Sequence, residues 1–98
     1  MVLTTVDRGV LETFIDRVIN TAKKDAKTFA DEMTRKAFHI NNTEDFVFGI
    51  AFGAINASFS GYYVTSHQRP PDVEELVEIS DIITRRLPEI KKSISFEE

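Results

Sequence analysis

The residues best suited to chemistry in this chain gather in one stretch: Phe59, Tyr62, Tyr63, His67 and Arg69. Two phenols, an imidazole and a guanidinium at a helix end and the loop after it can recognise an anionic or aromatic ligand. Together they offer donors, a cation and ring faces. The alternative is a polar loop whose tyrosine rings complete the edge of a core. His39, the other histidine, closes a helical pattern, where an imidazole complements the carbonyl end of the helix dipole. Neither histidine belongs to a His-x-x-x-His or Glu-x-x-His pair, so no single helix face presents a metal site. Glu74 and Glu75 occupy a helix start, where acids are favoured without any catalytic task. Gly49 and Gly53 lie within a helical pattern and follow no strand, so they form no phosphate-binding loop. With no cysteine in the chain, thiol nucleophiles, disulfides and thiolate metal sites are excluded. The expectation is a non-catalytic protein with no metal and no cofactor.

Composition sets the frame for these residues. The 98 residues are 42% hydrophobic and 29% charged with a net charge of -4, which suits one globular domain over residues 1–98 and not a disordered chain. Charge is uneven: +1 over residues 1–40, -2 over 41–66 and -3 over 67–98. An acidic chain lacks the clustered cations on which nucleic-acid affinity rests. Its basic pairs, Lys23-Lys24, Arg85-Arg86 and Lys91-Lys92, read as solvated helix faces. Residues 1–7 show no basic segment followed by an apolar run, so they do not resemble a secretory signal, and a cytoplasmic location is expected.

The elements that must position the residues are helical. Leu11, Ile15, Val18, Ala22, Ala26, Phe29, Met33, Ala37 and Ile40 recur at steps of three and four with no glycine or proline between Gly9 and Gly49. That spacing predicts one amphipathic helix over about 5–38, capped by Thr4 with Asp7. Lys23, Lys27, Asp31 and Arg35 form a four-spaced polar row on it, with favourable pairs flanking Asp31. A helix of roughly 50 Å overhangs a globule whose radius of gyration is about 13 Å, so a second chain is expected to cover its far end.

Asn42 caps a second helix over about 43–64, free of charge from Phe46 onward. On it Gly49, Gly53, Ala57 and Gly61 form one small-residue row, while Phe48, Phe52, Ile55, Phe59 and Tyr62 form a bulky stripe roughly opposite. Each glycine costs about 1 kcal/mol relative to alanine in a helix, so the row requires compensation by close approach of another helix. That helix is either the first one of the same chain or a second copy. A membrane span is the third reading, but Asn56, Ser58 and Ser60 and the flanking amphipathic helices oppose it.

After Pro70-Pro71, a third helix over about 72–94 begins with acids and ends with bases, and Pro88 should kink it or start a short final helix. Ser95 to Glu98 should fray. The run Leu87-Pro88-Glu89-Ile90-Lys91-Lys92 resembles the closing helix of HEPN-type helical domains, some of which are ribonucleases or toxin components. The resemblance covers about the last 20 residues. Nuclease members of that family carry an Arg, four to six residues, then His; Arg35 precedes His39 by only three intervening residues, so the activity is not carried over.

The sequence therefore predicts an all-α protein with three main helices, a bundle completed by a second chain in a homodimer, and a scaffold or interaction role. The alternatives are a small-molecule pocket at Tyr62, Tyr63, His67 and Arg69, or an HEPN-like nuclease or toxin-antitoxin component.

Overall fold

Thr4 opens the first helix as its sequence requires. Its hydroxyl accepts from the Asp7 N–H at 3.0 Å and Asp7 accepts from the Thr4 N–H at 3.2 Å, a reciprocal capping box that satisfies two otherwise unpaired donors. The computed structural model describes residues 2–95. They form five helices: α1 Thr5–Ala30, α2 Glu32–Phe38, α3 Thr43–His67, α4 Val73–Arg85 and α5 Leu87–Ile94, with no strand among the described residues. The expected fraying of the last residues falls outside this range except for Ser95, which caps α5 in an extended conformation.

The long first helix does not run unbroken to Phe38. Asp31 leaves the helical region (φ -57°, ψ 133°) and caps α2, accepting from Thr34 N and Thr34 Oγ1, both at 3.2 Å. A continuous helix would gain the Lys27/Asp31 and Asp31/Arg35 pairs, each worth a few tenths of a kcal/mol. The bend gains an N-cap worth about 1 kcal/mol. It also brings Phe38 to 5.8 Å from Phe29, edge to face, a contact worth about 0.5–1.5 kcal/mol that a straight helix cannot make across nine positions. The aspartate thus supplies the break without glycine or proline. What remains of α1 is about 39 Å long and fits the 43 Å long axis of the molecule.

His39 ends α2 in the left-handed region (φ 55°), and the Ile40 N–H bonds back to the Arg35 carbonyl at 2.9 Å, the six-residue closure typical of helix ends. Asn42 then caps α3 by accepting from Asp45 N at 2.9 Å. The helix runs three residues past the expected end and stops at Gln68, also left-handed (φ 61°). The expected third helix is two helices, because the Pro88 ring cannot coexist with the carbonyl four residues before it. Arg86 interrupts the helix there, with Pro88 in the first turn of α5.

Packing follows from the apolar rows. Leu11 and Ile15 of α1 meet Ile55, Phe59 and Tyr63 of α3, together with Ile79, Ile83 and Ile90. Towards the other end, Ala22 and Ala26 face Val47 and Ile94. Arg86 ties the α4–α5 junction to α1 through Asp16 at 2.7 Å and Glu12 at 3.1 Å. Glu78 of α4 accepts from the N–H groups of Val2 and Leu3, both at 2.9 Å, and from Arg8. The result is an elongated slab of 43 × 27 × 19 Å.

Two substitutions on apolar stripe positions separate covered from uncovered sites. Ile55 is fully buried, and Ile55→Ala should destabilise by about 2–5 kcal/mol. Met33 continues the α1 stripe but is 81% exposed, and Met33→Ala should change stability by less than about 0.5 kcal/mol. Urea unfolding of both variants checks the contrast, and equal losses would contradict the bend.

Candidate functional site

Two buried carboxylates organise the end of the molecule where α1 begins, α3 ends and α4 begins. Asp7, third residue of α1, is 2% exposed. It accepts from the Tyr62 hydroxyl at 2.7 Å and lies 3.1 Å from His67 Nε2. Burial pushes the Asp7 pKa up, but hydrogen bonds from His67, Tyr62 and Thr4 outweigh it and hold the carboxyl below its ordinary range. Donation to Asp7, with burial, raises the Tyr62 hydroxyl in turn.

Glu75, third residue of α4, is the second hub. It accepts from Arg69 at 2.8 and 3.3 Å, from Asp72 N at 2.9 Å and from the Tyr63 hydroxyl. The Arg69 guanidinium is the largest of the influences that bring the Glu75 carboxyl down to about 2. Burial, then donation to Glu75, pushes the Tyr63 hydroxyl up to about 12. The His67 ring stacks on Tyr63 with centroids 4.0 Å apart, and Arg69 lies 5.3 Å from the Tyr63 centroid. Phe59 sits beneath in the core, 5.6 Å from Tyr62 and 6.0 Å from Tyr63.

The five residues grouped from sequence, Phe59, Tyr62, Tyr63, His67 and Arg69, therefore do converge. Their polar groups engage Asp7 and Glu75 and link three chain segments; parts of the His67 and Arg69 side chains stay open to solvent. Asp7 and Glu75 were not among the candidates. Each is the third helical residue of a capping box, Thr4 with Asp7 and Asp72 with Glu75, a signal that marks a helix start but not a long-range partner. Arg35 and His39 line an open cleft of about 760 Å³ with Lys36 and Asn41 at the α2 end. Among the described residues no group of three His, Asp or Glu is placed to hold a metal ion.

The other feature is the outer face of α3. The helix buries a strict four-spaced row, Val47, Ala51, Ile55, Phe59 and Tyr63. Positions two residues on from such a row lie about 200° round the helix, so they stay opposite it along its length. Those positions are Gly49, Gly53, Ala57 and Gly61, and all four are exposed. Beyond its own helix backbone, a Cβ placed on any of these glycines would meet nothing within 4 Å among the described residues. The expected close approach of the first helix to this row does not occur, because the bulkier row opposite buries more apolar surface against α1 and α5. The bulky stripe is also displaced from expectation: Val47, Ala51 and Tyr63 are buried, while Phe52 is 42% exposed. Ile50 and Val64 are exposed as well. α3 is long and apolar enough to cross a membrane by length and composition, and only 28% of its most apolar window is buried within the chain.

The Glu75 hub predicts a pH dependence with a definite sign. Its carboxyl titrates at about 2, below its ordinary 4.5, so it contributes stability that is present above about pH 4.5 and lost as pH falls towards 2. Denaturant unfolding at pH 7, 4 and 3 should show Glu75→Gln less stable than the wild type at pH 7, with the gap narrowing on acidification. Tyr63→Phe, which removes one bond to a charged acceptor, should lose about 1.5–3 kcal/mol at pH 7. A gap for Glu75→Gln that does not change with pH would rule out the hub.

No protein family, no curated protein and no solved structure matches this chain.

Proposed function

We propose that this chain is a non-catalytic helical interaction module that acts as a homodimer through the outer face of α3. The observation that carries the reading is the exposed glycine row. Glycines at 49, 53 and 61 each weaken the helix by about 0.8–1.0 kcal/mol relative to alanine, and no neighbour among the described residues occupies the space they leave. A second helix approaching closely is the contact that such a row suits, since two four-spaced rows interlock at about -40 to -50°.

Surface area supports the same partner. The chain exposes 6503 Å², whereas a folded monomer of this mass exposes about 5,700 Å². The excess belongs to the whole elongated slab, the open α3 face included. The face carries no charge between Phe46 and Ser66, so no ion has to be desolvated when two copies meet. A bilayer is a poorer occupant: α1 packs along α3 and carries exposed Asp16, Lys23, Lys24 and Lys27, which lipid around α3 would have to accommodate. The Tyr62, Tyr63, His67 and Arg69 cluster is a structural latch in this reading. A ligand there would have to displace bonds to Asp7 and Glu75.

Solution mass at tens of micromolar tests the reading. The wild type should be a dimer and Gly53→Leu a monomer with unchanged helicity. Dilute Gly53→Leu should melt no lower than dilute wild type, since leucine is the better helix former. A wild-type monomer at that concentration would overturn the reading, and partition of the wild type into detergent micelles would assign the face to lipid.

A further inference from the structure

α4 is apolar on two sides, and only one of them is covered. Glu75, Ile79, Ile82 and Ile83 face the core. At about 100° per residue, Val73, Leu76, Val77, Ser80 and Thr84 share one strip on the solvent side, and all five are exposed. Val73 is 75%, Val77 55% and Leu76 51% exposed, whereas a helix with one covered face carries polar residues there. The strip runs the length of α4, about 20 Å, without a charged residue.

Acids border it on one flank. Glu74 and Asp81 stand seven positions apart, a separation of two helical turns. With Glu78, Val77 and Val2 they line a cleft of about 210 Å³. Glu78 is engaged by the N–H groups of Val2 and Leu3 and by Arg8. Glu74 and Asp81 are exposed, and neither carboxylate has a partner among the described residues. Arg85, one turn beyond, donates to the Asp81 carbonyl and not to its carboxylate.

We propose that the outer face of α4 docks a basic amphipathic helix of a partner protein, with apolar side chains on Val73, Leu76 and Val77 and bases two turns apart on Glu74 and Asp81. Positions seven apart stay in register when two helices pack side by side. In the cleft, Val2 and Val77 take the aliphatic stem of a lysine while the carboxylates take its ammonium. An anionic bilayer or a nucleic acid meets the same flank with like charge. A second copy lacks the matching helix among the described residues. The exposed large apolar side chains of α3 lie in a segment without bases, α1 exposes only Val6, and α5 exposes none. α2 carries Met33 and Phe38 but has seven residues, with Arg35 bonded to the Asn41 carbonyl and Lys36 to Glu32. The α4 face lies on a different helix from the glycine row, so the proposal holds whether or not the chain dimerises through α3.

Two synthetic peptides of about 15 residues, long enough to form a helix, test it against the full chain. One carries leucines at heptad spacing and lysines at the same spacing on the flanking positions; its twin has glutamate for lysine. Fluorescence anisotropy should show the basic peptide bound and the acidic twin weaker by about tenfold or more, with the gap shrinking in high salt. Leu76→Asp should weaken the basic peptide by about tenfold, with circular dichroism as the check on folding. Glu74→Lys combined with Asp81→Lys leaves the apolar strip intact and should reverse the preference between the twins. Equal binding of the twins, binding of neither, or a preference that the double substitution leaves unchanged would overturn the proposal. A Gly53→Leu chain that is larger than a monomer and becomes a monomer with Leu76→Asp would instead give the face to a second copy. Phosphatidylserine vesicles that bind the wild type and not Leu76→Asp would give it to lipid.

Discussion

The contact between α1 and the four-spaced row of α3 is the constraint from which the rest of the architecture follows. An α-helix repeats every 3.6 residues, so a row with a step of exactly four positions winds slowly round its own helix. Burying Val47 in one cluster and Ala51, Ile55, Phe59 and Tyr63 in the next, with Phe48 packed against both, therefore requires the neighbours to follow that winding. α1 covers the row along its length, and α5 fills the side that α1 leaves open, with Ile90 and Ile94 both buried. The complementary row two positions on winds in step with it. The glycines therefore remain on the outside from Gly49 to Gly61 and do not rotate into the core.

At one end this contact is locked by polar chemistry. Asp7 and Glu75 sit where three segments meet, each carrying hydrogen bonds from its own helix start and from distant side chains. A buried carboxylate is tolerable only when its acceptor sites are filled, and no buried side-chain polar atom among the described residues lacks a partner. The opposite end is held by the rings of Phe29, Phe38 and Phe46, the buried Ile40 and the caps at Asp31 and Asn42. The molecule is thus firmly tied at the α3 C-terminus and lightly tied at α2.

Much of this was legible in the sequence where a local cause decides the outcome. The caps at Thr4, Asn42 and Asp72 set helix starts, and Pro88 set the division of the last helix. The convergence of Tyr62, Tyr63, His67 and Arg69 followed from their placement at one helix end. The break at Asp31 was not legible, because the decisive contact, Phe38 with Phe29, lies across the bend that it stabilises. The periodicity favoured a continuous helix and carried no trace of that competition. The exposed face of the glycine row was also hidden, since small and bulky rows on one helix each call for a neighbour and spacing alone does not say which obtains it within the chain. Asp7 was visible only as a capping residue and Glu75 only as an acid at a helix start; their long-range partners depend on how α3 docks.

The two capping boxes have a further consequence for cooperativity. The same two carboxylates that close the capping boxes of α1 and α4 also hold Tyr62, Tyr63, His67 and Arg69. Helix initiation and tertiary docking are therefore one event at these sites, not two in succession. Helix ends in most proteins open by themselves at little free energy. Here the first turns of α1 and α4 can open only by releasing the end of α3 as well, which joins these two helix starts and the docking of α3 in one exchanging unit.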